Sequence, residues 1–284
     1  MANTPAGRLY VVATPIGNLA DLSPRARAML ESCTLIAAED TRHTGAMLRH
    51  FGISRPLVAL HDHNEQRRAP ELVRELSRGA QIALVSDAGT PAISDPGYDL
   101  VCAAAAAGIE ILAIPGPCAA VAALSIAALP TDRFCFEGFL PARGAARRAR
   151  LEALRDEART LVFYESPHRV EEMLEDCSEA LGAERAAAAA REITKLHETV
   201  YRGTLGALAV RARGDPDFRR GEIVVVVAGA APAPATGAAD VLDRLLGILM
   251  AELPLKQAAR LAARIAGARD NEVYKRALKL KPQD

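Results

Sequence analysis

Short apolar runs separated by longer helical stretches set the rhythm of the first 120 residues. The runs near 8–13, 33–37, 57–60, 81–85 and 110–114 are strand-sized and almost continuously apolar, as strands buried on both faces are. Between them, Ser23 ahead of Pro24 marks a helix start, a hydroxyl cap followed by proline at the first helical position. Further helices are predicted over 96–107, stopped by Gly108, and over 118–128. This alternation predicts an α/β fold on a mainly parallel sheet. From Pro130 the pattern restarts, with strands expected over 133–137, 160–164, 186–190 and 222–228; Gly203, Gly206 and Gly214-Asp215-Pro216 read as turns among them. Residues 230–238 read as an Ala/Pro linker with nothing to bury. Beyond it, 239–282 reads as three short helices, the last two split by Gly267-Ala268-Arg269-Asp270 with Asp270 as a cap, a helix-turn-helix layout. The expected domains are 1–117 and 118–229, both α/β, then the linker 230–238 and a helical domain over 239–284.

Charge and cysteine usage narrow the classes. Thirty-five basic residues balance 35 acidic ones, so no global positive field holds this chain to nucleic acid, although local basic patches are allowed. Five scattered cysteines without a C-x-x-C argue against a disulfide framework or a zinc site and fit a reducing cytoplasm. No signal peptide is expected from the first eight residues. The apolar tract over 101–129 is broken by Gly108, Glu110, Pro115, Gly116 and Pro117, well short of the roughly 20 uninterrupted residues of a membrane span.

Three strand ends carry the candidate chemistry. Residues 9–13 run into Thr14-Pro15-Ile16-Gly17-Asn18, 81–85 into Ser86-Asp87-Ala88-Gly89-Thr90-Pro91-Ala92-Ile93-Ser94-Asp95-Pro96-Gly97, and 110–114 into Pro115-Gly116-Pro117-Cys118-Ala119-Ala120. Any one of these alone reads as an ordinary turn. Together they suggest one crevice at the carboxyl edge of an open sheet, where such folds bind ligands. None matches G-x-x-x-x-G-K-[ST] or G-x-G-x-x-G, so a phosphate cradle is not supported. A ligand with an adenosine face and a compact polar tail fits better.

These motifs, with Ala38-Glu39-Asp40-Thr41-Arg42-His43-Thr44, residues 134–141, Phe163-Tyr164-Glu165-Ser166-Pro167-His168-Arg169 and Arg191-Glu192-Ile193-Thr194-Lys195, resemble the ribosomal RNA small subunit methyltransferase I family, in order and over almost the whole chain. The resemblance implies a tetrapyrrole-methylase-like fold of two α/β domains with S-adenosyl-L-methionine between them. It implies a cytoplasmic homodimer that 2′-O-methylates a cytidine of 16S rRNA within the 30S subunit. It places Pro15, Ile16, Gly17, Ser86, Asp87, Gly89, Thr90, Ile93, Cys118 and Ala119 against the cofactor, with Tyr164, Glu165 and Ala228 closing over the adenine. Asn18 stands where tetrapyrrole methylases carry an aspartate, and Thr90 where they carry another.

A general base for a ribose hydroxyl would be worth roughly 10²–10⁴-fold. Asn18, Glu39, Asp40 and Glu165 are the catalytic candidates; the cluster His61-Asp62-His63 and Glu192 also offer proton acceptors. No metal is expected, ligands two apart in a loop being common by chance. For RNA, Arg143, Arg147, Arg148 and Arg150 are expected to form a mobile basic flap over the crevice; the alternative is the solvated face of a helix running into 151–154. Arg42 and Lys195 are further candidates for backbone contacts. A methylase acting on a small molecule such as a tetrapyrrole is the competing reading, and the arginine stretch and helical tail speak against it. A non-enzymatic nucleic-acid binder would leave the three glycine junctions without a purpose.

Overall fold

In the run Gln81-Ile82-Ala83-Leu84-Val85, Ile82 and Leu84 face one apolar cluster while Ala83 and Val85 face another. From Ile82 to Val85 the run carries no polar position, because helices cover both of its faces. It belongs to a computed structural model that describes residues 7–231 and 238–280. The chain divides after Gly229 into two compact units.

The first unit holds two five-stranded sheets. One contains β1 (Arg8–Val12), β2 (Leu35–Ala38), β3 (Leu57–Ala59), β4 (Gln81–Val85) and β5 (Glu110–Ile114), all parallel in the order β3-β2-β4-β1-β5. Helices α1 (Pro24–Ser32) and α2 (Thr41–His50) pack on one face, α3 (Glu65–Ser77) and α4 (Tyr98–Ala106) on the other. Ser23 caps α1 as expected, its hydroxyl accepting from the Ala26 amide at 3.1 Å with Pro24 in the first turn. The connections leaving the neighbouring strands β1 and β4 run in opposite directions along the sheet. Their loops therefore meet at one point of its carboxyl edge.

Helix α5 (Ala119–Ile126) leads to β6 (Phe134–Phe139), β7 (Thr160–Glu165), β8 (Ala186–Arg191), β9 (Thr199–Thr204) and β10 (Ile223–Val227), ordered β6-β7-β10-β8-β9. Only β6 and β7 are parallel; the rest of this sheet is antiparallel. Helices α6 (Gly144–Ala153), α7 (Val170–Leu181) and α8 (Leu205–Gly214) cover one face. On the other, Val162, Ala188, Ala190, Val224 and Val226 meet α5 and Ile16 from the loop after β1. Ile16 thus ties the first sheet to the second.

The structure corrects three expectations. Strand β9 escapes the sequence pattern because it is a half-exposed edge, Thr-Val-Tyr-Arg-Gly-Thr, without clean alternation. Gly203 lies inside it and Gly206 inside α8, not in turns. Asp270 sits within the first turn of its helix, where its charge complements the dipole, instead of ahead of it.

The second unit contains α9 (Ala238–Glu252), α10 (Leu255–Ala266) and α11 (Asp270–Leu280). Leu246, Val273 and four alanines, Ala259, Ala262, Ala263 and Ala277, form its core. Gly267 ends α10 with φ +63°, the left-handed conformation glycine adopts without strain. Residues 232–237 of the expected linker lie outside the described residues.

Candidate active site

The three strand-end loops are stitched together by their own backbone. Thr14 and Gly89 exchange hydrogen bonds of 2.8 and 3.1 Å in an isolated antiparallel bridge. The Thr14 hydroxyl donates to the Ser86 carbonyl at 3.2 Å, and the Thr90 hydroxyl to the Pro117 carbonyl, also at 3.2 Å. A Cβ on Gly116 would stand 3.1 Å from that of Ala13, so these loops approach more closely than side chains there would allow. Gly89 has φ +81°, and the alanine and serine at 92 and 94 adopt φ +69° and +62°. That conformation is strained for non-glycine residues, and such strain clusters at functional sites.

Against these loops stands the second sheet. Tyr164 and Glu165 end β7, Phe139 ends β6, and Ile223 and Val224 begin the neighbouring β10. The Tyr164 hydroxyl accepts from the Ala120 amide at 3.1 Å, and its ring meets Phe136 and Phe139 edge-on. Ile193 enters between Glu192 and Thr194, both at positive φ. The cleft between these loops and the second sheet has a volume of about 320 Å³, within the range of small-molecule sites. Its lining is mostly apolar, and its ionisable side chains include the carboxylates of Asp95, Glu165 and Glu222 but no lysine, arginine or histidine. Such a lining disfavours phosphate and suits a ligand with a cationic centre.

Ile16, Gly89, Thr90, Ile93, Cys118, Ala119, Tyr164 and Glu165 all line this cavity. Pro15 is buried beside it, while Gly17 is packed against Lys195, whose Cγ a Cβ would meet at 2.4 Å. Ser86 and Asp87 lie behind the wall; the Asp87 carboxylate accepts from the Asp40 amide at 3.0 Å. Ala228 is a correction. Strand β10 runs antiparallel to β7, so Ile223 pairs with Glu165 at the cavity while Val227 pairs with Leu161. Ala228 follows at the opposite edge, five residues or roughly 15 Å along the strand, where its amide donates to the Ala186 carbonyl. Asp95, Ser94, Phe139, Ser166, Ile193 and Glu222 are lining residues that sequence reasoning misses. Asp95 is within its reach, being a carboxylate inside the second junction motif.

The catalytic candidates separate by environment. Asn18 caps a short 3₁₀ turn over Leu19–Asp21, accepting from the Ala20 amide, and lies off the cavity wall. Asp40 caps α2 and pairs with Arg42 at 2.9 Å; these contacts hold its carboxyl down at about 2 and make it a poor base. Glu39 accepts from the Asp87 amide at 3.3 Å, and burial raises its pKa, with Asp87 and Asp62 adding to the rise. Glu165 is buried, accepts from the Ser166 amide at 2.7 Å, and lies 3.3 Å from the Arg169 guanidinium.

The basic flap is also corrected. Residues 144–153 form α6, and Arg147 is 3% exposed, its Nε 2.6 Å from Asp176 Oδ2 and its Nη2 3.2 Å from Glu172. Arg148 also pairs with Asp176, and Arg150 with Glu137. Arg143 is exposed at the helix start, and the Arg42 side chain is exposed on α2. Lys195 is held by Glu192 at 2.9 Å and Glu222 at 3.3 Å. The helix forms because its apolar positions, Leu151 above all, pack into the core of the second sheet.

Two α/β layers with an apolar, carboxylate-bearing cleft between their edges are the architecture of the tetrapyrrole methylase class, whose family model this chain matches. Residues 8–209 match the Tetrapyrrole (Corrin/Porphyrin) Methylases, and residues 235–281 the RsmI C-terminal HTH domain. The fold is shared with the methyltransferase CobJ (TM-score 0.59, 21% identity, 81% of this chain and 97% of that one). It is likewise shared with uroporphyrin-III C-methyltransferase of Thermus thermophilus complexed with S-adenyl homocysteine (0.55, 16%, 78% and 97%). Closer relatives are Ribosomal RNA small subunit methyltransferase I of Escherichia coli O157:H7, 53% identical over 98% of this chain and 96% of the relative, and that of Pseudomonas aeruginosa, 52% over 96% and 97%. The chain belongs to the ribosomal RNA small subunit methyltransferase I family. It is a methyltransferase that uses S-adenosyl-L-methionine. No described helix is long and apolar enough to cross a membrane.

Proposed function

We propose that this enzyme 2′-O-methylates a cytidine ribose of 16S rRNA, working as a cytoplasmic homodimer on the assembled 30S subunit, with functional divisions at 1–117, 118–229, 230–238 and 239–284. The observation that carries the cofactor half of this reading is the cavity itself: an apolar slot with three carboxylates and no basic side chain. Bound S-adenosyl-L-methionine supplies an already activated methyl group. Ile16, Cys118, Ala119 and Tyr164 offer the apolar surface for its adenosyl part, and Asp95, Glu165 and Glu222 balance its positive charge. The protein's remaining task is to hold a ribose oxygen in line with the methyl carbon and exclude water. The family relationship supports the RNA substrate. Incubation with labelled cofactor should place label in alkali-resistant dinucleotides of 16S rRNA when small subunits are supplied, and sedimentation should give twice the chain mass. Label only in a precorrin-type tetrapyrrole overturns the RNA reading.

The second unit supports the same substrate. Residues 255–281 carry eight basic residues against two acidic ones in a chain of zero net charge. Lys256, Arg260 and Arg264 recur every four residues on the exposed side of α10, opposite the alanines of its core. Reversing all three to glutamate should weaken small-subunit binding and lower the salt dependence by about 0.7–0.9 per lost phosphate contact, leaving cofactor affinity unchanged. An unaltered salt slope would remove α10 from the RNA interface.

A further inference from the structure

Strand β6 breaks its alternation once, and the break sets the direction of one aromatic ring. Cys135 packs toward the core beneath α6, α7 and α8, while Phe136 packs toward the face that carries α5 and Tyr164. Unbroken alternation would send Phe139 to the side of Cys135, under the helices. Instead Phe136 pairs with Val162 and Gly138 with Phe163, which leaves Glu137 as the extra residue of a β-bulge. The bulge returns Phe139 to the face of Phe136, where the two rings meet Tyr164 edge-on at 5.0 Å (Phe136) and 5.6 Å (Phe139). Gly138 at the bulge holds φ +63°, and a Cβ there would stand 3.0 Å from Ser94 Oγ. Beyond the ring, Leu140 is buried and its carbonyl accepts from the Arg169 guanidinium at 2.7 Å. Phe139 is therefore fixed on both sides along the chain and still 54% exposed. Among the described residues the other exposed aromatics are Tyr98, Phe134 and Tyr274, and none of them lines the cavity.

We propose that Phe139 is the stacking platform for the base of the nucleotide being methylated, an inference that rests on the ribose-methylation reading above. The 2′-carbon of a ribose is bonded to the carbon that bears the base. A 2′-oxygen held in line with the methyl group therefore brings its base to the mouth of the same cavity. In folded RNA that base is stacked on its neighbours, and an enzyme that reaches the ribose has to draw it out. An exposed aromatic face replaces the stacking that is lost. The surface already assigned to the adenosyl part, from Ile16, Cys118, Ala119 and Tyr164, is buried or half-buried, and Phe139 is the exposed lip beside it. A ring placed for packing alone would lie on the helix-covered face, which is where the strand would put it without the bulge. Phenylalanine has no donor or acceptor, so it holds a base by its face and leaves the base's edge unread.

Phe139→Ala, Phe139→Leu and Phe139→Tyr test this through kcat/KM for small subunits, each measured with cofactor saturating for that variant. Phe139→Ala should lose roughly 10–100-fold, the range spanned by one base–aromatic stack. Phe139→Leu, apolar but not flat, should stay within about threefold of Phe139→Ala, and Phe139→Tyr should recover to within about threefold of wild type. A second substrate isolates the base: small subunits reconstituted with 16S rRNA whose target nucleotide keeps its ribose and 2′-hydroxyl but lacks its base. Wild type should lose about as much on this substrate as Phe139→Ala loses on the intact one. Phe139→Ala should then lose less than about threefold more, because ring and base share one interaction. Wild-type activity in Phe139→Leu, full recovery of Phe139→Ala at saturating cofactor, or an undiminished Phe139→Ala penalty on the baseless target each overturns the assignment. Failure of wild type to label any rRNA ribose overturns the reading beneath it instead, and the two failures are distinct.

Discussion

Thr90→Arg should abolish binding of S-adenosyl-L-methionine, read by calorimetry as a loss of roughly 100-fold or more, about 2.7 kcal/mol. Thr90 lines the cavity and its hydroxyl donates to the Pro117 carbonyl, fastening the loop after β4 to the loop after β5. Arginine there loses that bond and fills an apolar slot of about 320 Å³ with a long cation. Electrostatics makes the greater difference. The lining supplies carboxylates and no basic group, so an arginine would pair with Asp95 or Glu165 and take the charge that the sulfonium needs. Thr90→Val separates the contributions: it removes one hydrogen bond, worth about 1 kcal/mol, and should weaken the cofactor less than about tenfold. Circular dichroism and Tm should show both variants folded. Unchanged affinity in Thr90→Arg would mean that the cofactor binds elsewhere.

The first sheet is legible in the sequence because its central strands are buried on both faces and three of its strands run straight into glycine- and proline-rich loops. Those features survive in a one-dimensional reading. The second sheet is not legible in the same way. Its strands can be found except for β9, but their directions cannot, since an apolar run such as Ile-Val-Val-Val-Val reads identically either way. The resemblance places Ala228 at the cofactor, whereas β10 runs so that Ile223 and Val224 stand there. Eight expected cofactor residues do line the cavity because they belong to strand-end motifs, whose position follows once the sheet and its order are set. The ranking of carboxylates is out of reach for a different reason. Asp40 and Asp95 are the same residue type, and only the fold sets them apart: the contacts with Arg42 drive one down to about 2, and burial drives the other up to about 6. The arginines of 143–150 look like a solvated cluster, and nothing local shows that Asp176 waits 29 positions beyond Arg147.

Arg147→Ala should be among the most destabilising single substitutions in the chain, although the local sequence suggests a mobile flap. Its guanidinium is buried beside Asp176, whose side chain is 10% exposed, with Glu172 as second partner and Leu151 and Cys177 in the core nearby. Removing one partner of a buried pair leaves the other charged in a low-dielectric site, at a cost of about 3–5 kcal/mol. For a unit of this size that is a fall in Tm of roughly 10 °C. The double substitution Arg147→Met with Asp176→Leu should recover most of the loss, because an apolar pair of similar volume leaves neither of the two charges unpaired. Both variants should bind small subunits with wild-type salt dependence when folded, since both side chains are almost wholly withdrawn from solvent. If Arg147→Ala instead keeps its Tm and flattens the salt dependence of RNA binding, the residue acts at the RNA interface and α6 must open there; the exposed Arg143 and Arg148 would then be its nearest partners.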